Sequence, residues 1–538
     1  MEYRFDDAIT LKVPGDWNSQ DDKLFYYESS VWYRRVFDAP ANRAGKRYLL
    51  YFGGANYQAD VYLNGRKLGT HIGGFTPFQY EVTDRLRETG NSLVVRVNNK
   101  RLREGVPTIN TDWWNYGGIT RSVRLIELPQ TYLADYAVEL KRGEGDRIRA
   151  RVSLDGPDRE QTLHIRIPEL GVDQSVATGP DGSAETEFAV QGLVRWSPEN
   201  PKLYDVTIAS ASDSSTERVG FRTIETKGRQ LLLNGKPIFL RGIAIHGENP
   251  LRGGRAAVPE EGRMLLDWAK DLGCNYARLA HYPHSEFMAR LADEMGILLW
   301  EETPVYWTIQ WENPDTLANA KAQLTELVER DKNRASVIIW SVANETPISD
   351  ARTHFLKTLV DAAHALDDSR LVSAALEVTE EPANSGHYVV RDPFGQNTDI
   401  VAFNEYIGWY RGGLPDACKD VTWEVAYDKP VLISEFGGGA LAGKHGPQTA
   451  RFTEEFQAWL YRETLPMLER IPGFSGCSPW ILVDFRSPRR PLPGIQDGWN
   501  RKGLIGENGE FKQAFYVLRD YYLNKAGETP PTDPAPTQ

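Results

Sequence analysis

The chain has 538 residues, 41% of them apolar and 25% charged, with 62 Lys and Arg against 74 Asp and Glu for a net charge of −12. That length exceeds one ordinary core, so two to four domains are expected, and the acidic balance offers no basic surface for nucleic acid or an anionic membrane. Cys274, Cys418 and Cys477 lie far apart without a C-x-x-C spacing, which implies neither a disulfide framework nor a zinc site.

Residues 1–130 read as short alternating strands separated by turn dipeptides. Val31–Phe37, Tyr48–Phe52 and the run Val61–Leu68 around Asn64-Gly65 predict a jelly-roll-like β-sandwich with an Asn-Gly hairpin. Residues 131–224 form a second strand-rich block with turns at Gly143-Glu144-Gly145-Asp146 and Gly179-Pro180-Asp181-Gly182. Its length and turn spacing predict an immunoglobulin-like β-sandwich.

From residue 225 to 526 strands alternate with amphipathic helices. The strand candidates are Ile238–His246, Asn275–His281, Ile297–Glu302, Val337–Glu345, Leu371–Glu377, Ile400–Tyr406, Val431–Glu435 and Phe474–Leu482, with helices such as Glu260–Leu272, Ser285–Met295 and Phe452–Arg470 between them. Eight β-branched apolar runs joined by helices predict a parallel (β/α)8 TIM barrel. Residues 527–538 are rich in Pro and Thr and predict a disordered tail. No apolar run approaches the roughly 18 residues of a membrane span. The start, Met-Glu-Tyr-Arg-Phe-Asp-Asp, has no apolar signal region. A soluble, cytoplasmic protein is expected, with the periplasm or secretion as the alternative for a chain trimmed of its signal peptide.

Catalytic groups of a barrel gather at the C-terminal ends of its strands. Those ends carry His246, His281, Glu301 with Glu302, Asn344 with Glu345, Glu377, Tyr406, Glu435 and Trp480. Glu345 and Glu435 close the fourth and seventh strands, each where an apolar run turns polar. Two carboxylates facing one pocket are what hydrolysis of a glycosidic bond requires, one to protonate the leaving oxygen and one to attack or activate water. The blander reading of a strand-end Glu is a solvated or ion-paired residue. Glu301 and Glu302 form a rival dyad, weakened because neighbouring strand residues face opposite ways. A metal-dependent hydrolase would want several His at ligand spacing. His246 stands alone, and His281 and His284 are separated by Pro283. No metal or other cofactor is expected.

Trp340-Ser341-Val342-Ala343-Asn344-Glu345 and Ile433-Ser434-Glu435-Phe436-Gly437 resemble the acid/base and nucleophile signatures of glycoside hydrolase family 2, and the order sandwich, immunoglobulin-like domain, barrel is similar to that family over nearly the whole chain. The resemblance implies Glu345 as general acid/base, Glu435 as nucleophile and Asn344 as donor to the sugar 2-hydroxyl. Within the family the match is to the β-glucuronidases. Asp112-Trp113-Trp114-Asn115-Tyr116-Gly117-Gly118-Ile119 resembles their sandwich loop that reaches the sugar, which implies substrate contact through Asp112. Ala280-His281-Tyr282-Pro283 and Asn404-Glu405-Tyr406-Ile407-Gly408-Trp409-Tyr410 resemble their substrate segments, which implies roles for His281, Asn404, Tyr406 and Tyr410, with Trp480 at the end of the eighth strand. Asn500-Arg501-Lys502-Gly503 resembles the Asn-x-Lys pair that reads a uronic acid carboxylate. An ammonium makes a charge-assisted bond to a carboxylate that a neutral hexose cannot return.

Two departures stand out. The segment after the third strand, Pro304 to Trp311, runs straight into a helix near Pro314, so the long insertion of some gut bacterial enzymes is missing and the mouth is open to bulky or oligosaccharide aglycones. The chain also enters its first sandwich late relative to the family.

The expectation is a retaining exo-β-glucuronidase acting on glucuronide conjugates or glucuronic-acid-terminated oligosaccharides. The resemblance also implies a homo-oligomer, dimer or tetramer, with neither nucleic acid nor membrane as partner. The rivals are a β-galacturonidase or another family 2 β-glycosidase and, more remotely, a carbohydrate-binding protein that has lost catalysis.

Overall fold

The computed structural model describes residues 5–527; the tail expected at 527–538 lies outside them but for Gly527. Two compact units emerge, one of residues up to 101 with 115–223 and 329–335, the other of 102–114, 224–328 and 336 onward. The segment that carries Asp112, expected within the first sandwich, therefore packs with the second unit.

In the first unit, Ser30–Phe37, Asn91–Asn98, Gln58–Leu63 and Arg66–Ile72 form one antiparallel sheet and Phe78–Glu81, Lys46–Phe52 and Val123–Pro129 another. Alternating residues of both, including Leu50, Phe52, Val61, Val95 and Val97, fill a common core. Asn64 and Gly65 carry the hairpin turn at φ values of 52° and 81°, the left-handed pair that a two-residue type I′ turn needs. Seven further strands build the immunoglobulin-like sandwich. Tyr132–Leu140, Arg147–Asp155 and Ser183–Ala189 pair in one sheet, and Val172–Ala177, Thr162–Ile167, Tyr204–Ala209 and Ser214–Val219 in the other. The two share a core around Ile148, Val152, Ile165 and Val206.

The second unit is the barrel. Its strands are β1 (Leu240–His246), β2 (Tyr276–Ala280), β3 (Leu298–Glu302), β4 (Val337–Asn344), β5 (Leu371–Leu376), β6 (Val401–Asn404), β7 (Val431–Glu435) and β8 (Phe474–Cys477). They close in chain order, all parallel, with β8 pairing β1 through Leu240 and Gly476. All eight expected strands are present, but five stop one to five residues short of the runs read from sequence. Glu345, Glu377, Tyr406 and Trp480 consequently stand on the loops just past the strands, where a barrel keeps its chemistry. Every residue of β4 is buried, as expected of a strand covered by helices on one face and packed core on the other. The pairing register slips between Ser341 and Asn344 against β5, and between Phe403 and Asn404 against β7. Such irregularities re-aim side chains at barrel rims, and both fall where polar residues begin. No helix among the described residues is long and apolar enough to cross a membrane.

Candidate active site

The site is organised around a cation in the middle of β2. Arg278 is fully buried, which is tolerable only when the charge is paired and hydrogen-bonded. Its Nη1 donates to Glu435 Oε1 at 2.7 Å, and its Nη2 donates to Glu302 Oε1 at 3.1 Å and to Asn344 Oδ1 at 2.7 Å. Burial lifts the Glu302 carboxyl, but Arg278, His281 and the Trp300 indole outweigh it and hold the group down at about 2. Glu302 is thus a permanent anion, and the His281 Nδ1–H donates to it at 2.8 Å. That orients the ring so that Nε2 lies 3.6 Å from Glu435 Oε1. Trp480 stacks on the same ring at 4.6 Å.

Glu435 ends β7 and is 5% exposed. Besides Arg278, the Tyr406 hydroxyl donates to its Oε2 at 2.6 Å. Burial raises its pKa, Arg278 and His281 pull it back, and the charge of Glu345 raises it further, leaving it above the usual carboxylate range. Both oxygens face donors, an arrangement that suits the carboxylate form. Asn344 and Asn404 flank it. Asn404 Nδ2 donates to Asn344 Oδ1 at 3.3 Å, and the Ser434 hydroxyl donates to Asn404 Oδ1 at 2.7 Å. With its oxygen so occupied, Asn344 has a buried Nδ2 left without a partner among the described residues.

Glu345 sits differently. It is half-buried, one residue past β4, at φ 48°, a left-handed conformation rare for a residue with a side chain and frequent at functional sites. Its Oε2 accepts a hydrogen bond from Trp307 Nε1 at 2.8 Å. Trp307 is itself left-handed at φ 55°. Tyr306 lies among Asp112, Glu345 and Glu435, whose charges add to burial in driving its hydroxyl well above the ordinary phenol range.

A second polar cluster closes the other side. Lys502 is 4% exposed; its Nζ donates to the Tyr410 hydroxyl at 2.7 Å and lies 4.8 Å and 5.5 Å from the ring centroids of Tyr410 and Tyr406. Burial raises the Tyr410 phenol, yet Lys502 and Arg490 together hold it below its usual range. Asn500 fixes the loop, its Oδ1 accepting from the Lys502 backbone N–H at 3.2 Å while its Nδ2 donates to Asp112 Oδ2 at 3.3 Å. Ser487 and Arg490 also donate to Asp112. Both Asp112 oxygens are thereby engaged, so this residue ties the 102–114 segment to the loop after β8 and does not stand open.

The eleven residues singled out from sequence therefore form two connected groups. Glu435, His281, Asn344, Asn404, Tyr406 and Trp480 surround Arg278 and Glu302, while Asp112, Asn500, Lys502 and Tyr410 form the other. Tyr406 and Tyr410 join them, ring to ring, at 5.2 Å, and Glu345 completes the rim. Sequence reasoning missed Arg278, Tyr306, Trp307, Ser487 and Arg490 as site residues. The one available signal was Arg278, a charge in the centre of an apolar strand. His246, expected on the rim, is buried with its Nδ1 2.9 Å from the Tyr282 hydroxyl.

Three family profiles match the chain: the sugar binding domain of glycosyl hydrolases family 2 over residues 1–129, a glycosyl hydrolases family 2 profile over 127–222, and the TIM barrel domain of the same family over 224–464. A β-glucuronidase of Paenibacillus borealis is 28% identical, the alignment covering 97% of this chain and 93% of the relative. The solved β-glucuronidase of Bifidobacterium dentium, complexed with coumarin-3-O-glucuronide, superposes with a TM-score of 0.84 at 26% identity, covering 96% of this chain and 92% of that one. A β-galacturonidase from Eisenbergiella tayi bound to galacturonate matches with the same TM-score, 0.84, at 25% identity, covering 96% and 93%.

Proposed function

The chain belongs to glycoside hydrolase family 2, and from that premise we propose that it is a retaining exo-β-glucuronidase that removes a terminal β-D-glucuronic acid. The observation that carries the uronide reading is Lys502. It is a buried ammonium bonded to a phenol, and among the described residues no carboxylate pairs with it. A desolvated cation without a counter-ion is costly, and a C6 carboxylate on the substrate relieves that cost while a hydroxymethyl group does not.

In this reading Glu435 attacks the anomeric carbon, its carboxylate aligned by Arg278 and Tyr406. Glu345 protonates the leaving oxygen and then deprotonates the incoming water. The free Nδ2 of Asn344 donates to the sugar 2-hydroxyl. Asn500 and Lys502 hold the carboxylate, and Asp112 braces the loops around it. Trp480 and His281 form an aromatic floor.

A β-galacturonidase is the second reading, favoured by the equal likeness to the galacturonate-bound enzyme and by the fact that Lys502 reads C6 and leaves the C4 epimer undiscriminated. Chromophore release from 4-nitrophenyl β-glucuronide, β-galacturonide and β-galactoside ranks the candidates, and the anomer formed first, followed by NMR, tests retention. Fastest release from the galactoside would remove the uronide reading; an α-product formed first would remove the retaining one. For Glu345→Ala, alkyl glucuronides should lose far more rate than nitrophenyl ones in the first step, because nitrophenolate departs without a proton. Equal losses would take Glu345 out of the acid/base role.

A further inference from the structure

Trp307 does more than touch Glu345. Its indole edge donates to that carboxylate, while the face of the same ring carries the guanidinium of Arg489 at 4.9 Å from the centroid. Tyr306 packs against the indole at 4.4 Å, which fixes the platform. Arg489 comes from the loop after β8, between the short pairing strands Phe485–Arg486 and Trp499–Asn500. Its backbone N–H donates to Ser487 Oγ at 3.2 Å, and its guanidinium donates to the neutral amide of Asn110.

Charge makes this arrangement unusual. Arg490, the next residue, is neutralised by Asp112. Arg489 is exposed and, among the described residues, pairs with no carboxylate. A chain of net charge −12 thus sets an uncompensated cation one indole away from its candidate proton donor. On the other flank of Glu345, burial and the charge of Glu345 push the Glu377 carboxyl above its ordinary range. Only Thr308–Asn313 separate Trp307 from the helix Pro314–Asp331, too short a loop to fold over the platform.

We propose that Arg489, seated on Trp307, forms a leaving-group subsite for an aglycone that carries an anion, a carboxylate or sulfate ester on the released unit of an acidic oligosaccharide. The proposal rests on the reading of Glu345 as general acid, since the group that protonates the leaving oxygen marks the side on which the aglycone departs. Arg suits this work because a guanidinium held flat by an aromatic face still presents its edge to a planar carboxylate or a sulfate.

The test compares four aryl glucuronides of matched phenol acidity, bearing a carboxylate, a sulfate ester, a neutral carboxamide or a trimethylammonium group. For the wild-type enzyme, kcat/KM on the anionic aglycones should exceed that on the carboxamide about threefold to fivefold, the range of an exposed charge pair, and the preference should shrink with salt. Arg489→Gln should flatten the ranking and Arg489→Glu should invert it toward the cation. The readout is the ranking within each variant, which a general loss of activity does not alter. Preference for only one anion names the source as uronate or sulfate. Equal rates across the wild-type series, or an unchanged ranking in both variants, overturn the subsite. If no glucuronide is cleaved, the glucuronidase reading fails by itself, and the same four aglycones on galacturonic acid test the subsite; equal rates there overturn it as well.

Discussion

The β7 wall and the β4 rim each present one glutamate, and their surroundings are opposite. Glu435 is buried, meets a guanidinium and a phenol, and lies against a histidine oriented by a second, permanently ionised carboxylate. Glu345 is half-buried on a left-handed backbone with one indole donor. In the proposed mechanism two identical side chains take different work from their settings. A nucleophile must be an aligned anion, which the wall supplies. A group that gives up a proton and later takes one from water must keep a path to solvent, which the rim supplies.

The largest effect should come from removing the proposed nucleophile. Glu435→Gln leaves the shape and deletes the attacking oxygen, so kcat should fall by at least about four orders of magnitude with little change in unfolding midpoint. Azide added to Glu435→Ala should restore turnover with inverted product; rescue with retained configuration would exchange the roles of wall and rim. The upward shift of Glu435 also has a kinetic sign. A protonated carboxyl cannot attack, so kcat/KM should fall as pH drops through a value above the ordinary carboxylate range, a limb absent from any residual activity of Glu435→Gln.

Arg278 tests whether the wall is one electrostatic unit. Arg278→Met leaves Glu302 and Glu435 buried without their cation, and breaking a buried pair this way typically removes about 3–5 kcal/mol of stability. Urea unfolding should show that loss, and activity should fall with it. Arg278→Lys keeps the charge but not the forked reach to three acceptors, so it should recover stability more than activity. An unchanged unfolding midpoint in Arg278→Met would mean that the wall is held by packing alone.

The contrast between wall and rim was only partly legible in the sequence. Glu345 and Glu435 could be found because each ends an apolar run, and strand periodicity survives in any single chain. Glu302 could not be separated from Glu301, since alternation says that one faces inward without saying which. Arg278 was concealed by its own strand, where the apolar pattern reads as packing and the charge reads as an exception. Asp112, Ser487, Arg490 and Asn500 meet across more than 370 residues of sequence, in loops without periodicity, and no local pattern reports such a meeting. Sequence expects Asp112 at the sugar hydroxyls; its hydrogen bonds to Ser487, Arg490 and Asn500, which tie the loops together, had no sequence signal. The strand ends were drawn too long for the same reason that the site exists there: pairing slips where the polar residues begin.

Lys502 sharpens the comparison from the far side of the pocket, where the charge awaits a partner instead of having one. Truncation of a buried ammonium that meets the substrate carboxylate should cost roughly 2–5 kcal/mol, which is about 30-fold to several-thousand-fold in kcat/KM at 1.4 kcal/mol per decade. Lys502→Ala should therefore depress glucuronide hydrolysis much more than any activity on the neutral β-glucoside. Asn500→Ala should act in the same direction more weakly, because a neutral amide is lost. Equal factors on both substrates would make Lys502 a support of the site and would withdraw the main argument for a uronide.

The smallest effect concerns Glu405, a buried carboxyl beside the wall that lacks what Glu435 has. Its backbone N–H donates to the Glu435 carbonyl at 2.9 Å, and its Oε2 accepts from the Ile407 N–H at 3.0 Å. Its Oε1 has no hydrogen-bond partner among the described residues. Burial pushes the group up to about 8 against the weaker pull of Ile407 and Arg411, and the other titratable groups it faces, Cys418 and Tyr388, are neutral over that range. In the unfolded chain the same carboxyl titrates near ~4.3. Between those values the folded state holds a proton that the unfolded state has released, so stability falls as pH rises through the window and levels off above it, with a slope of at most about 1.4 kcal/mol per pH unit from this group. Glu405→Gln keeps the neutral shape and removes the proton. Its unfolding midpoint in urea, followed from pH 5 to 9, should decline less steeply than that of the wild type, with the variant relatively most favoured at the alkaline end. Because Asn404, Tyr406 and Tyr410 share this segment, the alkaline limb of kcat should recede with it. Parallel stability curves would mean that Glu405 ionises without penalty, and the contrast between a buried carboxylate with donors and one without them would lose its energetic basis.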